Sequence, residues 1–306
     1  MEMMVTNVFI HAMLAILLPP LLIGVIARTK ALCAGRSGAP LLQPYYDIAR
    51  LWNKGSVFSS TTTWVFRAGP LVSLAVVLTA ALLIPFGAPQ APFSFRGDML
   101  LFLYLFALAR FFTIIAALDT GSSFEGMGSA REATFACLAE PALLFSFLAL
   151  AKLSGSFSLT GMLAHRSVVN LINDGAPLLM LLGGLYVIIL AENCRIPFDD
   201  PNTHLELTMI HEVMVLDHSG PLFGIILYGA AVKLFVLGAL LIHIAFPISS
   251  GYQVLDWGVF VCSQLLLAIT IGLTESLMAR LRLVKIPYLL AVATILTAFG
   301  LLLVLR

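Results

Sequence analysis

The chain has 306 residues, of which 60% are hydrophobic and 11% charged, with a mean hydropathy of +1.02 and a formal net charge of +1. Soluble domains carry about 25% charged residues, so this composition excludes an ordinary water-soluble fold, and the near-zero charge gives no footing to a nucleic-acid partner. It predicts an all-α polytopic membrane protein, because open sheets leave backbone groups unsatisfied in lipid.

About twenty apolar residues cross the hydrocarbon core as a helix. Eight stretches qualify: Val5–Ala27, Pro70–Phe86, Met99–Leu118, Ala133–Leu153, Ala176–Ala191, Pro221–Phe246, Trp257–Ser276 and Ile286–Leu305. They are read as a single integral-membrane domain over 1–306, with an amphipathic loop over 28–69 and a charged loop over 192–220. Met1 to Thr6 lacks a basic region and the apolar run that follows exceeds twenty residues, so it is expected to stay as a span rather than leave as a signal peptide. Eight spans put both termini on one side. The other side carries eleven cations (Arg28, Lys30, Arg36, Arg50, Lys54, Arg67, Arg131, Arg195, Arg280, Arg282, Lys285) against four (Arg96, Lys152, Arg166, Arg306). By the positive-inside rule the charged connections are expected in the cytoplasm.

In the first connection, Ile48, Leu51 and Trp52 mark an amphipathic surface helix that also carries Arg50. It suits a lipid-headgroup anchor or a platform for a soluble partner. The glycines of the loop that holds RSGAPLLQPYYDIARLW lack dinucleotide or phosphate-loop spacing. Trp64 and Arg67 precede the second span, an aromatic and a cation suited to the interface.

Arg110, in the third span, lies about 12 Å from Leu118 by helical rise. A lone arginine at that depth costs a few kcal/mol and needs partners or water. It either snorkels or, as expected, faces a polar cavity, because Asp119, Glu125, Arg131 and Glu132 gather on the same side. The connection LDTGSSFEGMGSARE is rich in glycine and serine, able to bring backbone close to a ligand or a partner chain. Glu140-Pro141 sits inside the fourth span, where a buried carboxyl would have a raised pKa suited to proton transfer; an ion pair with Arg110 is the static alternative. Lys233 lies about 18 Å into the sixth span, near mid-bilayer, and must pair with a carboxylate or lose its proton. His243 is expected near the terminal-side interface. Glu275, followed by Arg280 and Arg282, reads as a salt-bridged helix end, and the eighth span, with no interior charge, as a lipid-facing wall.

Ionic residues are densest between Ile188 and Gly220. Six of sixteen acidic residues (Glu192, Asp199, Asp200, Glu206, Glu212, Asp217) and three of six histidines (His204, His211, His218) fall there. Pro197 and Pro201 break the helix, and Asp200 can cap a new one that starts at Pro201 and runs to about Leu216. His204 and His211 lack the zinc-protease spacing, and Cys33, Cys137, Cys194 and Cys262 contain no C-x-x-C pair. No metal site is expected in this chain, and the cysteines read as small apolar filler.

The stretch AENCRIPFDD…LEL resembles the signature loop of the membrane subunit at the heel of respiratory complex I. It is more similar still to the equivalent subunit of the group 4 membrane-bound nickel–iron hydrogenases. RSGAPLLQPYYDIARLW, LYLFALARFFTIIAALDTGSSFEGMGSARE, the Glu140-Pro141 pair and ESLMARLRL share the likeness, which spans Arg28 to Arg282. The resemblance implies eight membrane helices and no redox centre in this chain. It implies docked hydrogenase-like large and small (iron–sulfur) subunits that hold the nickel–iron site and the clusters. Antiporter-like membrane subunits would carry protons or sodium across a prokaryotic cytoplasmic membrane. Glu192, Arg195, Pro197, Phe198, Asp199 and Glu206 match the signature loop, Glu140 the acidic residue of the fourth span, and Arg131 and Glu132 the preceding loop. Asn202 and His204 stand where two glutamates are usual, the segment from Leu207 to Ser219 is longer, and Asp217-His218 replaces a glutamate–tyrosine pair. Histidine titrates near neutrality, so a relay through it would have an altered pH dependence.

These readings give an expected ion path of Glu140, Glu192, Asp199, His204, Glu206, His211, Glu212, Lys233 and Arg110. Arg131, Glu132, Arg195, Asp119, Glu125 and Arg50 are the expected loop and docking residues. The expected function is membrane anchoring and ion coupling in a hydrogenase-like oxidoreductase. Quinone chemistry in a complex I-like enzyme is the alternative, as is a relative whose partner lacks the nickel–iron site. A stand-alone transporter would want inverted repeats, which the two halves do not show. A passive anchor would use the buried charges only to hold helices together.

Overall fold

The computed structural model describes residues 2–87, 90–163, 175–199, 209–246 and 252–306. In chain order the helices are α1 (Glu2–Cys33), α2 (Gln43–Trp52), α3 (Trp64–Ala81), α4 (Asp98–Asp119), α5 (Ser123–Ser154), α6 (Leu159–Leu163), α7 (Gly175–Glu192), α8 (Gly220–Ala245), α9 (Gln253–Leu277) and α10 (Ile286–Leu305). A single 3-10 turn covers Glu212–Val215 and another Leu283–Lys285. Eight helices are long and apolar enough to cross a membrane: α1, α3, α4, α5, α7, α8, α9 and the segment ending in α10. The protein is thus an all-α polytopic membrane protein, with no strand among the described residues.

Helix α8 is the hub. It packs against α1, α2, α3, α7 and α9, and its Val232, Phe235, Val236, Leu237 and Leu240 are fully enclosed. The amphipathic helix expected in the first connection is α2, with Ile48 buried. It lies on α8 because Gly224 leaves room for Trp52: a Cβ there would come within 2.9 Å of the indole. Helix α10 is not merely a lipid-facing wall. One side packs on α5 and α7 through Leu290, Ala293, Thr297 and Gly300, while Val292, Ile295, Phe299 and Leu302 stay exposed on the other.

Three boundaries differ from expectation. The second span begins at Trp64 and ends at Ala81, with Pro70 inside it. Its start is fixed from outside the segment: the Asp119 carboxylate, at the end of α4, accepts from the amides of Thr63 (2.7 Å) and Phe66 (3.2 Å). A carboxylate on free N-terminal amides is the most favourable place for it on a helix. Second, most of the glycine- and serine-rich connection is helix, because α5 starts at Ser123. Arg131 and Glu132 therefore stand on a rigid helix. Third, the helix expected up to Leu216 is not present from Met209 onward, where the chain makes bends and a 3-10 turn. Its first half, with Asp200, His204 and Glu206, lies outside the described residues.

Candidate functional site

The site is set by how α7 ends. Cys194 has φ 51, its amide bonds Ala191 O at 3.1 Å, and the Arg195 amide bonds Leu190 O at 2.9 Å. This 6→1 and 5→2 pair is a Schellman close, with cysteine where glycine is usual. The close turns Glu192, Asn193 and Cys194 inward at the point where the apolar helix stops.

Glu192 then meets two cations. Lys233 Nζ on α8 donates to its Oε2 at 2.8 Å, and Arg110 Nη2 on α4 donates to its Oε1. Arg110 also reaches Glu140 through Nη1 and faces Glu132 across 3.4 Å from Nε. One guanidinium thus gathers carboxylates from α5 and α7, and three carboxylates stand against two cations. In a low-dielectric bundle such a cluster holds together only if each charge has partners. Of the three carboxylates Glu192 alone meets both cations. Arg110 does not snorkel. Glu140 is not the enclosed carboxyl expected from its place in the span: its side chain is 52% exposed, and it pairs with Arg110.

A second network fastens the signature loop. Buried Asp199 accepts from the amides of Ile210 (2.9 Å) and His211 (3.2 Å) and from Arg280 Nη2 (2.7 Å). Glu275, with its side chain enclosed, takes Lys30 at 2.8 Å and Arg195 at 3.5 Å. The helix end at Glu275 is salt-bridged, but by Lys30 of α1 and Arg195 rather than by the Arg280 and Arg282 that follow it, since Arg280 turns to Asp199. On the other flank Arg131 donates to Met209 O (2.7 Å) and Glu125 accepts from the Asp217 amide (3.0 Å). Gly128 lets α5 press on the 3-10 turn: a Cβ there would strike Val213 and come within 2.9 Å of Met214.

These elements line a cavity of about 110 Å³, walled by α3, α4, α8 and the 209–218 segment. Its walls are mostly apolar. Polar groups sit at Arg110, Glu132, Glu192, Lys233, His211, His218 and the Ser73–Thr113 hydroxyl pair, 3.1 Å apart. A smaller cavity of about 30 Å³ lies towards α10 and includes Asp199. Glu132, Glu192 and Cys194 line both. Burial pushes the His218 imidazole down to about 4 and lowers that of His211. It raises the Cys194 thiol well above its usual range, so that thiol stays protonated.

Of the expected path residues, Glu192, Lys233, Arg110 and His211 come together at the large cavity, and Asp199 at the smaller one. Glu132, expected in a loop, joins them. Glu140 attaches through Arg110, and Glu212 opens the 3-10 turn outside the cavity lining. Asp119, Glu125, Arg131 and Arg195 brace the surrounding loops, and Arg50 is exposed in the last turn of α2. His243 bonds within its own helix, to Ala239 O at 2.9 Å. Sequence reasoning missed Cys194, Asn193, Ser73 and Thr113 in the lining, and Lys30 as the partner of Glu275. Serine, threonine and cysteine are ordinary in membrane helices, so they carried no signal.

The family model described as NADH dehydrogenase matches residues 5–305. Formate hydrogenlyase subunit 4 of Escherichia coli is 32% identical over 90% of both chains. Hydrogenase-4 component C of the same organism is 30% identical over 79% of this chain and 76% of that one. A subunit of the NADH-quinone oxidoreductase of Syntrophotalea carbinolica is 30% identical over 66% of this chain and 62% of that one. Among solved structures, a chain of the archaeal membrane-bound sulfane sulfur reductase superposes with a TM-score of 0.81 at 19% identity, covering 97% of this chain and 99% of that one. That likeness speaks for the fold alone.

Proposed function

We propose that this chain, which belongs to the NADH dehydrogenase family, is the membrane-anchoring and ion-coupling subunit of a multi-subunit hydrogenase-like oxidoreductase. Its relatives named above are hydrogenase, formate hydrogenlyase and quinone oxidoreductase subunits. By this reading the 209–218 segment, the signature loop and α2 face the cytoplasm and carry a peripheral arm of large and iron–sulfur subunits. Antiporter-like subunits lie beside the bundle in a prokaryotic inner membrane. The nickel–iron site and the clusters belong to the arm, and this chain contributes no redox centre.

The observation that carries the reading is the Lys233–Glu192–Arg110 chain with its extra carboxylates. A static clamp needs equal charges, whereas a proton route needs a group that can gain and lose one. Replacing Glu140 with glutamine keeps its shape and removes its charge. In membrane vesicles bearing the whole complex, the protons moved per electron should fall roughly a hundredfold in Glu140→Gln. An unchanged ratio would instead favour the passive anchor. A second reading, a quinone site, is favoured by the cavity itself: its mostly apolar walls with a few convergent polar groups suit a small amphiphile.

A further inference from the structure

We propose that His211 is the proton carrier that passes protons from the large cavity to Glu132, the carboxylate standing between the two cavities. The inference rests on the coupling reading and assigns its entry step to a residue.

Three observations carry it. First, Glu132 and Glu192 line both cavities, but they are held differently. Glu192 is clasped by Lys233 and Arg110. Glu132 meets only the Arg110 Nε, at 3.4 Å among the described residues, beyond the usual hydrogen-bond range. Glu132 is therefore the less tightly held of the two. Second, His211 lines the large cavity with Nδ1 enclosed and, among the described residues, lacking a hydrogen-bond partner. Its backbone is pinned, because its amide donates to Asp199 at 3.2 Å. A ring whose enclosed nitrogen makes no hydrogen bond is free to change tautomer and holds no structure through it. Third, the charges that face the ring come from every side. Glu132 on α5 acts most strongly, then Lys233 on α8, then Asp199 and Glu192 from the signature loop. Burial keeps the ring neutral at rest, so it holds an extra proton only in passage.

The step balances without a co-reactant. A hydronium in the cavity gives its proton to Nε2, the ring nitrogen that is not enclosed, and leaves as water. The N–H on the opposite nitrogen then breaks, and that proton bonds to the Glu132 carboxylate. The ring returns to neutral as the other tautomer. One proton has moved and no electron is transferred.

The test uses the intact complex in inverted membrane vesicles, driven by reduced viologen, with a pH-sensitive dye reporting protons moved per electron. His211→Ala and His211→Gln should each lower that ratio roughly tenfold or more. Ala opens a gap beside a cavity large enough for free imidazole, so millimolar imidazole should restore at least half of the ratio in His211→Ala but not in His211→Gln. Glu192→Gln separates the two levels of the argument. If it lowers the ratio while both His211 variants keep it, the coupling reading stands and the His211 assignment is overturned. If none of the three changes it, both fall. A lowered ratio in His211→Ala that imidazole does not restore assigns His211 a packing role and overturns the proposal.

Discussion

His218 is an imidazole in an apolar setting, 8% exposed and tilted against Phe66 with ring centroids 3.9 Å apart. Neither ring nitrogen makes a hydrogen bond among the described residues. Burial holds its folded-state pKa at about 4, against 6.5 for an unperturbed histidine. Between those values the unfolded chain binds more protons than the folded one, so folding stability rises with pH over that window and is level outside it. The loss on going from pH 6.5 to 4 is about 3 kcal/mol, at about 1.4 kcal/mol for each pH unit between the two values. His218→Phe keeps the ring stack and removes the titration. Its thermal midpoint should equal or exceed that of the parent at pH 7, and the gap in its favour should widen as pH falls to about 4.5, within the window between the two pKa values. A gap that stays constant with pH would show that the imidazole is solvated in the folded state.

At the scale of elements, the 209–217 segment shows where sequence reasoning reached and where it stopped. The charges were legible, because in a chain so apolar each ionic residue is costly and stands out. Glu192, Lys233 and Arg110 were found that way, and the eight spans followed from hydropathy alone. The segment's shape was not legible. Leu205, Met209, Val213 and Leu216 have helical spacing, yet the Asp199 carboxylate captures the amides of Ile210 and His211, and the helical ladder is not present there. That capture is tertiary and leaves no local trace. Likewise LDTGSSFEGMGSARE read as a connection because of its glycines, but Gly128 is there for contact. Its neighbour Gly126 meets nothing within 4 Å, which gives a paired test. Gly126→Ala should be neutral or raise the thermal midpoint, since alanine gains up to about 1 kcal/mol in a helix. Gly128→Val should lower stability by about 1–3 kcal/mol and displace the turn that carries His211. Equal midpoints for the two variants would show that α5 does not bear on the turn.

At the scale of the molecule, the ionic residues of α1, α4, α5, α7, α8 and α9 form networks that meet at the signature loop, through Glu192, Arg195 and Asp199. Lys30 and Arg195 converge on Glu275, Arg280 on Asp199, and Lys233 and Arg110 on Glu192. What occupies the cavity decides between the two functional readings. Gly229 lines it, and a Cβ added there would make only ordinary contact, 3.9 Å from Leu74. Gly229→Phe would therefore fill the space without disturbing the ionic cluster. If the cavity is a watered route to His211, this variant should still transfer electrons within the complex, before and after quinone is extracted from the membrane, while the protons moved per electron fall roughly tenfold or more. If the cavity seats a quinone, electron transfer itself should stop in Gly229→Phe, and in the parent it should stop on extraction and return when quinone is added back. The proton-to-electron ratio and the rate of electron transfer respond in opposite order in the two cases, so one pair of measurements on the intact complex separates a proton route from a redox site.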